Sequence, residues 1–342
     1  MKRLAVAALA AAAALAAAAA VRGPTLARAG DSWAAPAVDA RAEARRRTYE
    51  REMETGDEYA SLAAHQSVSL NDKKRLIARA FLAYTNAAEA RPDAAEPHFR
   101  AGNVLHAFYG GCLPSQMPCS SSPTRRAIMA QMAAEWTTFV KLAPLDPRIN
   151  QAFLFELALA NTRVADEAHI AAALDDYHAS LRHVTITVTD NNLETTYSNM
   201  AETYMMLGRL DEAIDAYHQA LRYGSDESTL YGLAVALDRD EQGAKAREII
   251  KALGPTVFAS FQNRFHTGQT FYVPDGEVFY YLALAEEALG RPDLAIVDWD
   301  HFIQSGAHPE FAPRARANRD ALAARARHGG QGRDRGASRW PR

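Results

Sequence analysis

The chain has 342 residues, of which 48% are apolar, 23% charged and 9% aromatic, and its formal net charge is −3. Those proportions exclude a collagen-like or wholly disordered polypeptide, the length allows one to three domains, and the charge gives no global reason to expect a nucleic-acid partner. Alanine is the outlier, with 71 residues, 13 of them among the first 20.

Lys2 and Arg3 precede an uncharged run from Leu4 to Val21, and Ala27-Arg28-Ala29 then offers a small-x-small cleavage pattern. That layout predicts a secretory signal over residues 1–29. An uncleaved inner-membrane anchor is the alternative, because 18 apolar residues just reach spanning length. The run is mostly alanine, however, and Arg22 and Arg28 follow closely. With 32 Arg against 6 Lys, the composition is that of a GC-rich bacterial genome, so the expected compartment is the periplasm. Residues 30–70 read as a charged N-terminal segment, with an exposed helix from Ala40 to Glu58 acting as a spacer.

From residue 71 to 327 the chain is a succession of helix-period segments separated by short Gly, Pro and Asp breaks. No stretch sustains the alternation of a strand. Ala80-Tyr84-Ala87, Met132-Trp136-Phe139 and Ala295-Trp299-Phe302 place a narrow residue, an aromatic four later and an apolar residue seven later. Those three positions share one helix face, which must pack inward. Between the first two lies Gly110-Gly111-Cys112-Leu113-Pro114-Ser115-Gln116-Met117-Pro118-Cys119, which cannot be regular helix. In an oxidising compartment the simplest reading pins this loop by a Cys112–Cys119 disulfide; free thiols are the other reading. Haem attachment needs a two-residue spacing and a following His, and both are missing.

The segments also repeat. Ala173-Leu174-Asp175-Asp176-Tyr177-His178 and Ala213-Ile214-Asp215-Ala216-Tyr217-His218 agree at Ala, Asp, Tyr and His over a 40-residue offset. Tyr197, Met200, Ala201 and Tyr204 lead through Gly208 to Ala213, Tyr217 and Ala220. Phe279, Leu282 and Ala283 lead through Gly290 to Ala295, Trp299 and Phe302. The unit from Glu194 to Asp226 resembles the tetratricopeptide repeat, a helix–turn–helix of about 34 residues. Only its closing proline is missing, replaced by Ser225.

The resemblance implies an all-α, right-handed superhelical solenoid of antiparallel hairpins, here with two loop insertions, near 110–124 and over 254–276. It also implies a protein or peptide partner held in a concave groove lined by the first helix of each unit. Carried over by position, the groove candidates are Arg100, Asn103 and His106, then Ser198, Asn199, Glu202 and Met205, then Tyr231, Tyr280 and Glu287. Asn199 falls where such grooves grip a ligand backbone. A clamp for C-terminal carboxylates needs several cations together, and Arg100 stands alone. The stretch from Phe258 to Tyr272 holds five aromatics, which either seal the gap between hairpins or present a binding loop. Asp275 is placed to cap the helix that follows.

Residues 1–29 carry four basic side chains and no acidic one, while residues 314–342 carry nine Arg and two Asp, which leaves a body at −14. The tail from 328 to 342 is expected to be disordered, with at most a weak contact to a membrane surface. No metalloprotease helix, nucleophile elbow, phosphate loop or dinucleotide fingerprint is found, so neither catalysis, a metal nor a cofactor is expected. Asp298-Trp299-Asp300-His301 sets two carboxylates beside a His, but two residues apart on a helix they point to different faces.

Overall fold

The computed structural model of the protein describes residues 39–110, 123–184, 189–267, 273–274 and 276–336. Regular structure among them is entirely helical, thirteen α-helices and one 3₁₀ turn. In order these are α1 (Ala40–Ala64), α2 (Leu70–Ala90), α3 (Glu96–Tyr109), α4 (Pro123–Leu142), α5 (Gln151–Val164), α6 (Glu167–Arg182) and α7 (Asp190–Met206). There follow α8 (Leu210–Ala220), α9 (Glu227–Arg239), α10 (Gly243–Thr267), α11 (Val278–Ala288), α12 (Pro292–Ser305), the 3₁₀ turn Pro309–Phe311 and α13 (Ala312–Gly336). The chain divides after Glu43, and the stack described here belongs to the unit from Ala44 onward.

Helix starts follow local chemistry. Ser69, Asn150, Asp166 and Asp226 each accept a backbone N–H of the first turn, and Thr189 forms a capping box with Asn192. Gly208 and Gly290, both at positive φ, turn the chain between α7 and α8 and between α11 and α12. From α3 onward each helix packs most extensively on its hairpin partner, giving α3–α4, α5–α6, α7–α8, α9–α10 and α11–α12.

The predicted inward face is the observed one. Ala80, Ala173, Ala213 and Ala295 are fully buried, as are Tyr177, Tyr217 and Trp299; Tyr84 and Trp136 are nearly so. A narrow residue on one helix admits the aromatic ring of its neighbour. A Cβ on Gly56 would overlap the Tyr84 ring, one on Gly102 the Trp136 indole and one on Gly232 the Tyr217 phenol. These rings therefore sit in notches that only glycine leaves open. The core has two main parts, meeting at α5: Leu157 and Ala160 join a cluster with Tyr84 and Trp136, while Ala158 joins one with Tyr177, Tyr217 and Trp299.

Three expectations change. The N-terminal helix is longer than a spacer and is packed into the array: Gly56 and Ala63 are buried, Tyr84 Oη donates to Asp57 at 2.8 Å and Asn86 Nδ2 donates to Glu52. The second insertion is not a loop over most of its length. Helix α10 breaks at Gly254 (φ 80°), and Pro255 starts a second helical segment, its missing N–H being no loss at a first turn. That segment buries Phe258 and Phe261, so these rings seal the gap. At the C-terminus the backbone stays helical to Gly336, beyond the expected boundary at His328. Cys112 and Cys119, the aromatics Phe271 and Tyr272, the cap at Asp275 and the export signal lie outside the described residues.

Candidate binding cleft

The first helices α3, α7, α9 and α11 carry the predicted groove residues, and the structure treats the two halves differently. Arg100, Asn103 and His106 on α3 remain partly exposed. Ser198, Asn199, Glu202, Met205, Tyr231 and Tyr280 are buried, and the Glu287 side chain is only 3% exposed. None of these seven is open to a partner. Asn199 is spent locally, its Nδ2 donating to the Thr195 carbonyl at 2.9 Å.

The cover over Glu202 comes from α11, and that over Tyr231 from the second segment of α10, whose Phe261 stacks on it at 4.2 Å. Tyr281 Oη donates to both carboxylate oxygens of Glu202, at 2.7 and 2.8 Å, and Tyr217 donates to the same group. Tyr280 Oη donates to Asp238 at 2.8 Å, and Asp238 also accepts from Arg314 at 2.8 Å and Asn318 at 3.1 Å. Arg239 pairs with Glu277 and lies 4.5 Å over the Tyr280 ring. The start of α11 thus meets the end of α9. Beyond its other end, Arg291 lies 5.1 Å over Phe258, which packs on Tyr231 near the start of α9. Helix α11 therefore crosses the α7–α9 face in the sense opposite to a simple continuation of the stack. Burial pushes the Glu202 carboxyl up to about 8, against the lowering effect of the Tyr281 hydroxyl.

The open half forms a cleft of about 640 Å³. Its walls come from α1 (Asp57, Ala60, Ala63, Ala64), α2 (Lys73, Ile77, Tyr84), α3 (from Glu96 to Phe108) and Arg148 in the α4–α5 turn. The apolar part is Ile77, Phe99, Val104 and Phe108. Charge alternates along one wall. Arg100 pairs with Asp57, donates to Glu96 at 2.8 Å, and Glu96 meets Arg148 at 2.8 Å. Arg148 also pairs with Asp146 at 2.8 Å and stacks 4.0 Å over Phe99. The hydrogen bond to Glu96 and the neighbouring Asp57 raise the Arg100 pKa, so its charge is fixed; Arg148 holds Asp146 down at about 2.

Two groups are left over. Asn103 Oδ1 accepts from Trp136 Nε1 at 3.1 Å, which orients the amide, and its Nδ2 has no partner among the described residues. Lys73 likewise has no ion pair among them. The cleft thus offers an oriented amide donor and an uncommitted ammonium beside an apolar floor. His106 is turned elsewhere, to Glu156 at 3.0 Å and the Trp136 ring.

Sequence reasoning missed Asp57, Glu96, Phe99, Lys73 and Arg148. Asp57 carried a signal, since it follows Gly56 as Asn103 follows Gly102. Lys73 and Arg148 carried none, because a helix start and an interhelical turn deliver them outside the repeat register. Three cations therefore share the site, where the sequence offered one. Elsewhere, Asp298 lies 3.8 Å from His301 beside the buried Trp299, and no group of three or more His, Cys, Asp or Glu able to hold a metal is found among the described residues. No helix there is long and apolar enough to cross a membrane.

Residues 195–226 match the tetratricopeptide repeat family. No curated protein matches the chain. Among solved structures it is similar to that of MamA protein, at 16% identity and a TM-score of 0.40 over 67% of this chain and 100% of that one. It is also similar to YrrB, a TPR protein with an unusual peptide-binding site, at 17% identity and a TM-score of 0.38, over 61% of this chain and 90% of that one. The matched unit is α7–α8, whose narrow and aromatic positions recur in the hairpins packed around it. The chain thus carries one tetratricopeptide repeat, α7–α8, within an all-helical array of hairpins.

Proposed function

We propose that the protein is an exported, non-catalytic scaffold that holds a protein or peptide partner in the cleft between α1 and α3. One observation carries this reading: the cleft is the open stretch of a face whose equivalent on α7 and α9 is filled by the chain's own α10 and α11. Lys73 supports a partner that brings an acidic group, and Asn103, with its amide oriented by Trp136, supports one that brings a hydrogen-bond acceptor.

Site-specific photo-crosslinking in the native host tests it. A crosslinker at Asn103 should capture a discrete protein that Lys73→Glu releases, while one at exposed Asp211 on α8 should not. Capture that is equal at both sites, or indifferent to Lys73→Glu, would overturn the cleft as the site. Export is tested by mass spectrometry of the purified protein: a start at Gly30 fits the reading, and a retained Met1 replaces export by anchoring.

A further inference from the structure

We infer that the cleft takes an amphipathic helix rather than an extended peptide. This rests on the cleft being a binding site. The warrant is internal: the same face of the repeat, further along the chain, already holds a helix.

The equivalence runs through the narrow residues. Gly56 admits Tyr84, Gly102 admits Trp136, and Ala201 lies fully buried in the same place on α7. One position later stand Asp57, Asn103 and Glu202. In the filled half Glu202 accepts the hydroxyl of Tyr281 from α11 at 2.7 Å, and three positions after Val235 on α9 Asp238 accepts that of Tyr280 at 2.8 Å. Beyond these anchors Ala283, Leu284 and Ala285 of α11 are fully buried. What this face accommodates is thus a helix that offers hydroxyl donors near its start.

The open half has the matching features. Asp57 and Asn103 stand where Glu202 stands, and the floor between them and Phe108 is apolar. A helix about 10 Å wide occupies roughly 420 Å³ per turn, so the cleft of about 640 Å³ has room for one and a half turns, the inserted part of a longer segment. An extended peptide added as a strand would need a row of unpaired backbone groups to pair with. Helices α1 and α3 satisfy theirs internally, which leaves side chains as the means of recognition.

The test is a selection from random linear peptides of about 15 residues, four helical turns, against the whole chain. Binders are kept if Ala107→Trp abolishes them. Ala107 is an exposed cleft residue, so this variant fills the site without touching the core, and Lys73→Glu serves as a second, surface-only block. The kept peptides should show apolar residues at three- and four-residue spacing. A central proline should weaken them at least tenfold, and an i,i+4 staple should tighten them severalfold. Binders with alternating spacing, indifferent to both changes, would overturn the helix while leaving the cleft as a site. If neither block removes any binder, the site falls and the helix with it.

Discussion

Ala165 ends α5 in the left-handed region at φ 62°, the conformation that Gly208 and Gly290 supply in the corresponding turns of α7–α8 and α11–α12. A Cβ there costs about 1–2 kcal/mol, against which glycine's greater freedom in the unfolded chain must be set. Ala165→Gly should therefore stabilise the protein by roughly 0.5–1 kcal/mol, read as a higher urea midpoint with an unchanged slope. A lower midpoint would mean the turn is held by contacts that alanine makes. Gly232→Ala should act the other way. Its Cβ would meet the Tyr217 ring of the preceding hairpin, and overpacking of this kind costs about 1–3 kcal/mol. The two positions differ in legibility. Ala213 and Tyr217 can be read from spacing because one helix carries both, whereas the demand on Gly232 comes from a ring on another helix.

Among the elements, α10 and α11 depart furthest from a regular array, and the departure has an electrostatic consequence. Gly254-Pro255 was readable as a break, and the aromatics after it as a sealing group, but the return of α11 across α7 and α9 was not. It depends on where a kinked helix delivers the chain, and no local pattern encodes that. The result buries Glu202 with its carboxyl at about 8, above an ordinary value near 4.5. The folded state then binds more protons than the unfolded one between those pH values, so stability falls as pH rises from about 4.5 to 8 and levels off above. Asp176, raised to about 7 by burial, acts in the same direction. Glu202→Gln keeps the shape and removes the titration, and it should flatten the decline by roughly 5 kcal/mol. Urea midpoints of both proteins across that window supply the check, and parallel curves would refute the buried acid as the cause.

At the scale of the molecule, the two cores make the array mechanically uneven. Among the described residues the cluster spanning α1 to α5 contains 15 buried ones and that from α5 to α13 contains 33, the latter crosslinked by Glu202, Asp238 and Arg239 to α11 and α13. In a repeat array stability is close to a sum of each unit and its interfaces, so the smaller cluster opens at lower free energy. Hydrogen exchange under native conditions should accordingly show α2 and α3 amides exchanging faster than those of α9 and α11, in two groups instead of one. Phe302→Ala, within the larger cluster, should speed exchange across α9 to α12 while leaving α2 and α3 nearly unchanged. Uniform acceleration along the whole chain would show that the array unfolds as one block. The open cleft belongs to the more yielding half, where the Arg100–Asp57 pair ties α3 to α1, and the other half has buried acids and α11 closing its own face.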